Sequence, residues 1–247
     1  MSGMQDFELL LARRTAFNPI TSLGASLLGY FDAESALSVP QSAGAVTTWT
    51  DPITGLAPTQ GTAGKRPIWG AANLNGRPAV RFDGVDDELS FTGAVTYPSG
   101  SAGGEIWALT SQDALVADTG LRVLFDYGGS TSAYLGLIRS VVSSVNRATS
   151  AKGASASNNV NVDLSGVHVL RHIWTATGMS VEVDGTAGTG GSDSTAIAST
   201  VTLKIGSFVN STLFWNGTIN SIWLTAPLSA GQAASMLAYL KTRGGVP

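Results

Sequence analysis

The chain has 247 residues, a formal net charge of −3, 13% charged residues, 30 glycines and no cysteine. Arg13–Arg14 and Lys65–Arg66 are the only adjacent basic pairs, so the clustered cationic footprint that releases counterions from a nucleic acid is missing. Disulfides, thiolate metal sites and cysteine nucleophiles are excluded, and no apolar run approaches the ~20 residues of a membrane-spanning helix.

Scarce charge and many glycines favour short strands joined by turns over long surface helices. The length suits one β-sandwich that needs no crosslinks. Residues 1–26 read as an appendage. Met4, Phe7, Leu10 and Leu11 fall at helical spacing and form a short amphipathic arm, which needs a surface to pack on, its own domain or a neighbouring subunit. Thr15–Ser26 reads as a linker broken at Pro19. Asp6 and Glu8 precede the apolar Leu9–Ala12 and the arginines follow it, the reverse of a secretory signal, so release by lysis of the producing cell is the expectation.

From Leu27 the pattern is β. Strands are expected at Leu28–Asp32, Val46–Asp51, Ala79–Asp83, from Leu89 through Phe91, and at Glu105–Ser111, Leu121–Tyr127 and Tyr134–Arg139. Further strands follow at Val167–Thr175, Met179–Val183, Val201–Ile205 and Thr218–Leu224. Gly128–Gly129, Asp184–Gly185 and Asn216–Gly217 mark turns. A closing helix starts at Ser229, where Gln232 completes a capping box. It runs an apolar stripe through Ala233, Met236, Leu237 and Leu240, places Lys241 and Arg243 near its negative end, and stops at Gly244.

Several groups are candidates for chemistry. Asp83, Asp86 and Asp87 cluster with Glu88, and one loop can supply several of the roughly six to eight oxygens that calcium takes. The spacing is not that of an EF-hand, and aspartates readily cap turn amides, so no metal or other cofactor is expected. Glu182 and Asp184 alternate as glycosidase carboxylates do, but Gly185, Thr186 and Ala187 follow where a second glutamate is needed. His168 and His172 share a strand face about 13 Å apart, too far to hold one ion together. Trp49, Trp107, Trp174 and Trp223 lie in strand patterns as core residues. Trp69 and Trp215 lie near turns and are the candidates for stacking on a sugar ring.

The phrases LLGYFDAES, VTTWTD, KRPIW and LNGRPAVRFDGVDDEL resemble the opening of the concanavalin A-like, laminin-G-like jelly-roll family of bacterial and phage proteins. GTINSIWLTAPLSAGQAASMLAYLKTRGG is similar to that family's last strand and closing helix, and the middle matches through VEVDG and LKIGSF. The lead-in RRTAFNPITSLGASLLGYFDA resembles that of tailed-phage virion proteins. The resemblance implies an all-β, concanavalin A-like jelly-roll sandwich over residues 27–247, with an N-terminal arm and a short C-terminal helix. It implies a non-enzymatic structural protein on the surface of a phage or phage-like particle, in the capsid or tail. Other virion proteins and further copies of the chain are its expected partners, and host-surface carbohydrate its expected ligand. The alternatives are a secreted or cell-surface bacterial lectin-like module and a divergent glycoside hydrolase.

Overall fold

A computed structural model describes residues 17–35, 38–39, 44–94, 97, 103–113, 120–130, 133–142, 145–152, 155–188, 191–192 and 200–247. Its strands are β1 (Leu27–Asp32), β2 (Gly44–Ala45), β3 (Ile68–Leu74), β4 (Arg77–Asp83), β5 (Leu89–Ala94), β6 (Gly104–Gln112), β7 (Arg122–Ser130) and β8 (Ala133–Val142). They continue with β9 (Val145–Lys152), β10 (Ser155–Asn161), β11 (Val167–Trp174), β12 (Gly178–Val183), β13 (Thr186–Ala187), β14 (Gly191–Ser192), β15 (Thr200–Ile205) and β16 (Asn216–Thr225). The C-terminal helix spans Ala230–Gly244.

The strands build two antiparallel sheets. The larger has the order β13-β12-β11-β6-β16-β4-β3-β2, with β1 also on β16 and β14 on β12; the smaller has the order β10-β9-β8-β7-β15-β5. Between them lies an apolar core that includes Phe31, Trp49, Phe82, Phe125, Trp174, Leu203 and Ile222. Alternation along the strands sends the other side chains of the larger sheet to its outer face. There Tyr30, Trp107, Leu109, Val169 and Trp223 meet Ala233, Met236 and Leu240 of the helix in a second core. The expected all-β jelly-roll sandwich with a closing helix is therefore the fold, and the helix makes it three layers deep.

β16 organises the larger sheet. Its first residues pair with β4 and its last with β1, both along one edge, while β6 runs along the other. The register slips between Ile219 and Ser221, which leaves Asn220 in a bulge where β1 and β4 diverge.

Several expectations change. Val46–Asp51 is not a strand: Trp49 N donates to Pro58 O and Asp51 N to Leu56 O, so this segment folds back on the next loop through one isolated bridge. Gly128–Gly129 lies inside β7, with a bulge in place of the turn. Asn216–Gly217 begins β16, and a side chain at Gly217 would meet Ser111 O at 2.2 Å, so the glycine serves close strand approach. Residues 17–26, expected as a linker, contain a helical turn, Pro19–Ser22, capped by Asn18 with Pro19 at its start, and Leu23 beyond it is buried under the helix. Met4, Phe7, Leu10 and Leu11 lie outside the described residues.

Candidate functional site

Two cavities flank the C-terminal helix on the outer face of the larger sheet. The first, about 550 Å³, is lined by Phe17, Glu34, Arg77, Ser235, Tyr239 and Thr242, with Arg243 at its base. Phe17 and Tyr239 meet edge to face at 6.2 Å and form its aromatic wall.

Its floor is an ionic network assembled from four parts of the chain. Arg243 forks onto Asp32 at the end of β1, with Nη1 2.9 Å from Oδ2 and Nη2 bonded to Oδ1. Arg243 Nε donates to Glu34 Oε1 at 3.1 Å, and Nη1 donates to the Tyr239 hydroxyl at 3.1 Å. Asn220, in the β16 bulge, donates to the same Glu34 oxygen at 3.1 Å and to Pro78 O at 2.7 Å. Arg77, at the start of β4, approaches Glu34 at 3.3 and 3.4 Å with its side chain 44% exposed. Burial works against the Arg243 charge, but the hydrogen bond and attraction of Asp32 outweigh it and hold the guanidinium above its ordinary pKa.

The second cavity, about 420 Å³, lies on the other flank of the helix. Trp107, Arg171 and Glu182 occupy one cross-strand row over β6, β11 and β12. Arg171 sits 4.6 Å over the Trp107 ring. It bonds Glu105 through Nε at 3.1 Å and Nη2 at 2.8 Å, and Glu182 through Nη1 at 2.9 Å. Glu105 also accepts Trp107 Nε1 at 2.9 Å and Leu228 N at 3.0 Å. Burial disfavours the Arg171 charge, yet the two carboxylates raise its pKa. The pair Glu182 and Asp184 is not brought together. Asp184, with φ +53° in a turn beside Gly185 at +89°, faces His168 Nδ1 at 2.7 Å instead. Glu105, which is buried and does not line the cavity, is the carboxylate that shares Arg171 with Glu182, and cross-strand register rather than local spacing brings the two together.

The other sequence candidates fall elsewhere. Trp69 is 7% and Trp215 1% exposed, and Trp69 Nε1 donates to Ala33 O at 2.9 Å. Neither ring offers a face to a sugar, because both pack in the inter-sheet core. Asp83, Asp86 and Asp87 bring ligand atoms within 4.8 Å of one another. However, Asp83 Oδ1 accepts the backbone N–H of Val85, Asp86 and Asp87, and Asp87 Oδ2 accepts that of Asp83, so these oxygens already hold the turn. His172 is fully buried beside Trp174.

No protein-family model and no curated protein matches the sequence. Solved structures do match in fold. A GH54 α-L-arabinofuranosidase soaked with a cyclic sulfate inhibitor is 10% identical and aligns over 91% of this chain and 64% of its own, with a TM-score of 0.66. Domain 4 of a GH43 extracellular arabinanase from Geobacillus stearothermophilus, in complex with arabinotriose, is 11% identical over 87% of this chain and 98% of its own, with a TM-score of 0.60. The Trypanosoma rangeli sialidase in complex with sialic acid is 16% identical over 89% of this chain and 33% of its own, with a TM-score of 0.58. The chain thus spans under two thirds of the arabinofuranosidase and a third of the sialidase. At these identities the likeness establishes a shared β-sandwich fold. It also overturns the expectation of a non-enzymatic protein, since proteins that carry this fold include an arabinofuranosidase, a sialidase and an arabinanase.

Proposed function

We propose that the protein is a carbohydrate-recognising β-sandwich and that a saccharide occupies the first cavity. The observation that carries this is the pairing of an aromatic wall, Phe17 and Tyr239, with planar polar groups held on a rigid ionic floor. Sugar rings offer apolar faces to aromatics and hydroxyl pairs to carboxylates and guanidiniums. Arg243 and Glu34 Oε1 are committed to the floor, while Arg77 is half-exposed. The volume falls in the range of small-ligand sites. A sandwich of the same fold is known in complex with arabinotriose, which supports the reading by analogy of fold. Glycan-array binding lost in Tyr239→Ala and Arg77→Ala, and unchanged in Trp69→Phe, is the expected result. Binding that survives both cavity substitutions overturns it.

A second reading, glycoside hydrolysis, draws on the second cavity, where Glu182 lines the wall and the buried Glu105 lies on the other side of Arg171. Two carboxylates about one site are what glycosidic bond cleavage requires. Turnover of arabinosides or sialosides that disappears in both Glu105→Gln and Glu182→Gln supports it. Absence of turnover in the unaltered protein rejects it for these substrates. Placement on a phage-like particle rests on the lead-in phrase alone, and detection of the chain in purified particles tests it.

A further inference from the structure

Charge is balanced in the first cavity. Of its charged lining groups, Arg243 forks onto the nearly buried Asp32, and Glu34 answers Arg77. The two guanidiniums and the two carboxylates cancel. Arg77 is the cation with donors to spare. Its Nη1 alone reaches Glu34, at 3.3 and 3.4 Å from the two carboxylate oxygens, so Nε and Nη2 have no hydrogen-bond partner among the described residues. Glu34 does not swing with this half-exposed side chain, because its Oε1 also accepts from Arg243 Nε and from Asn220 Nδ2, each at 3.1 Å. Its negative charge therefore stays beside Arg77 when a ligand arrives.

The helix acts in the same direction. Ser235, Tyr239 and Thr242 line the cavity at positions i, i+4 and i+7, a single stripe of the helix. The stripe runs toward the C-terminal end at Gly244, where the last carbonyls carry partial negative charge. Of the two basic residues in that last turn, Arg243 is spent on Asp32 and Lys241 lies off the stripe. Beside the aromatic wall the stripe adds neutral hydroxyls, and Ser235 Oγ, which donates to Gly231 O at 2.9 Å, turns its lone pairs outward.

Given a saccharide in the first cavity, the reading on which this inference rests, we propose that the site selects uncharged saccharides over acidic ones and that Glu34 sets this selectivity. A vicinal pair of sugar hydroxyls accepts from Arg77 Nε and Nη2 without bringing charge to the site. The carboxylate of an acidic sugar fits the same fork, and an unmatched arginine prefers it. On Arg77, however, that carboxylate lies a few ångströms from the carboxylate of Glu34 and near the negative end of the helix. In a half-exposed site, like charges at such a separation repel by enough to weaken binding about tenfold. Glu34 thus turns a guanidinium suited to anions into a donor pair for hydroxyls.

A glycan array that pairs each acidic oligosaccharide with its carboxyl-methylated, neutral form tests this on the full-length protein. Binding that is lost in Tyr239→Ala, and that favours the neutral member of each pair about tenfold, is the expected result. Glu34→Gln keeps an oxygen for Arg243 and Asn220 but leaves Arg77 unmatched, so the ratio of acidic to neutral binding should rise about tenfold. Tyr239-dependent binding that favours the acidic member, or a ratio unchanged in Glu34→Gln, overturns the selectivity and leaves the saccharide site standing. An array on which nothing binds, or binding indifferent to Tyr239→Ala, overturns the saccharide site and the selectivity with it. Should Glu34→Gln fail to fold, salt decides on the unaltered protein. Screening at about 0.5 M salt should bring the acidic and neutral members together relative to about 0.03 M, and a ratio that ignores salt overturns the proposal.

Discussion

Arg243, in the last turn of the C-terminal helix, donates through Nη1 to Asp32 Oδ2 at 2.9 Å across 211 positions of sequence. This contact fastens the helix to the end of β1 beneath the first cavity. Both side chains are 7–10% exposed. Removing one partner of such a pair strands the other charge away from water, which costs about 3–5 kcal/mol. Arg243→Met should lower stability by that amount in urea unfolding. Arg77→Met, which removes a half-exposed pair with Glu34, should cost under ~1 kcal/mol. Equal losses in the two variants would show that the Arg243 fork carries no special weight.

Gly206 has φ +86°, and a Cβ there would lie 2.3 Å from two carbons of the fully buried Phe82 ring. Phe82 sits in the inter-sheet core and has no room to retreat. Gly206→Ala therefore adds backbone strain to overpacking, for a combined loss of about 2–3 kcal/mol. An unfolding midpoint within error of the unaltered protein would mean that the core yields at this point.

The fold was legible where local chemistry and tertiary structure agree. Ser229 and Gln232 do form the capping box, and the Met236 and Leu240 stripe does face the sheet. Asp184–Gly185 does make the tight turn, both residues taking positive φ. β9 and β10 were not legible, because VNRATSAK and SASNNVN are polar and their pairing comes from neighbouring strands. The first cavity was half legible. The phrases that carried the family resemblance hold Asp32, Glu34, Arg77, Asn220 and Arg243, but nothing in their spacing shows that five separated residues converge. The tryptophans mislead because a position near a turn in sequence is not thereby exposed. Trp69 and Trp215 flank turns yet point into the core.

Asp87 carries a pH signature. Burial, reinforced by the neighbouring Asp83 and Asp86 carboxylates, raises its pKa to about 6. The unfolded chain releases this proton near pH 4. Between about 4 and 6 the folded state holds a proton that the unfolded state has lost, so Asp87 contributes most below pH 4, its contribution falls as pH rises to about 6, and it is flat above. Asp87→Asn keeps an oxygen for the Asp83 N–H and cannot titrate. The unaltered protein should therefore lose stability relative to Asp87→Asn between pH 4 and 6. Parallel profiles over that range would show that Asp87 titrates normally.

Arg171 separates a stranded charge from lost packing. Its guanidinium serves Glu105, whose side chain is 3% exposed, and Glu182, at 22%. Arg171→Met keeps an apolar stem over Trp107 but leaves Glu105 with neutral donors from Trp107 and Leu228. The expected cost at pH 7 is about 3–5 kcal/mol. Glu182→Gln, which removes only the more exposed partner, should cost about 1 kcal/mol. Urea unfolding of the two variants at one pH measures both costs, and an Arg171→Met loss no larger than that of Glu182→Gln would assign it to the missing stack on Trp107 rather than to the buried carboxylate.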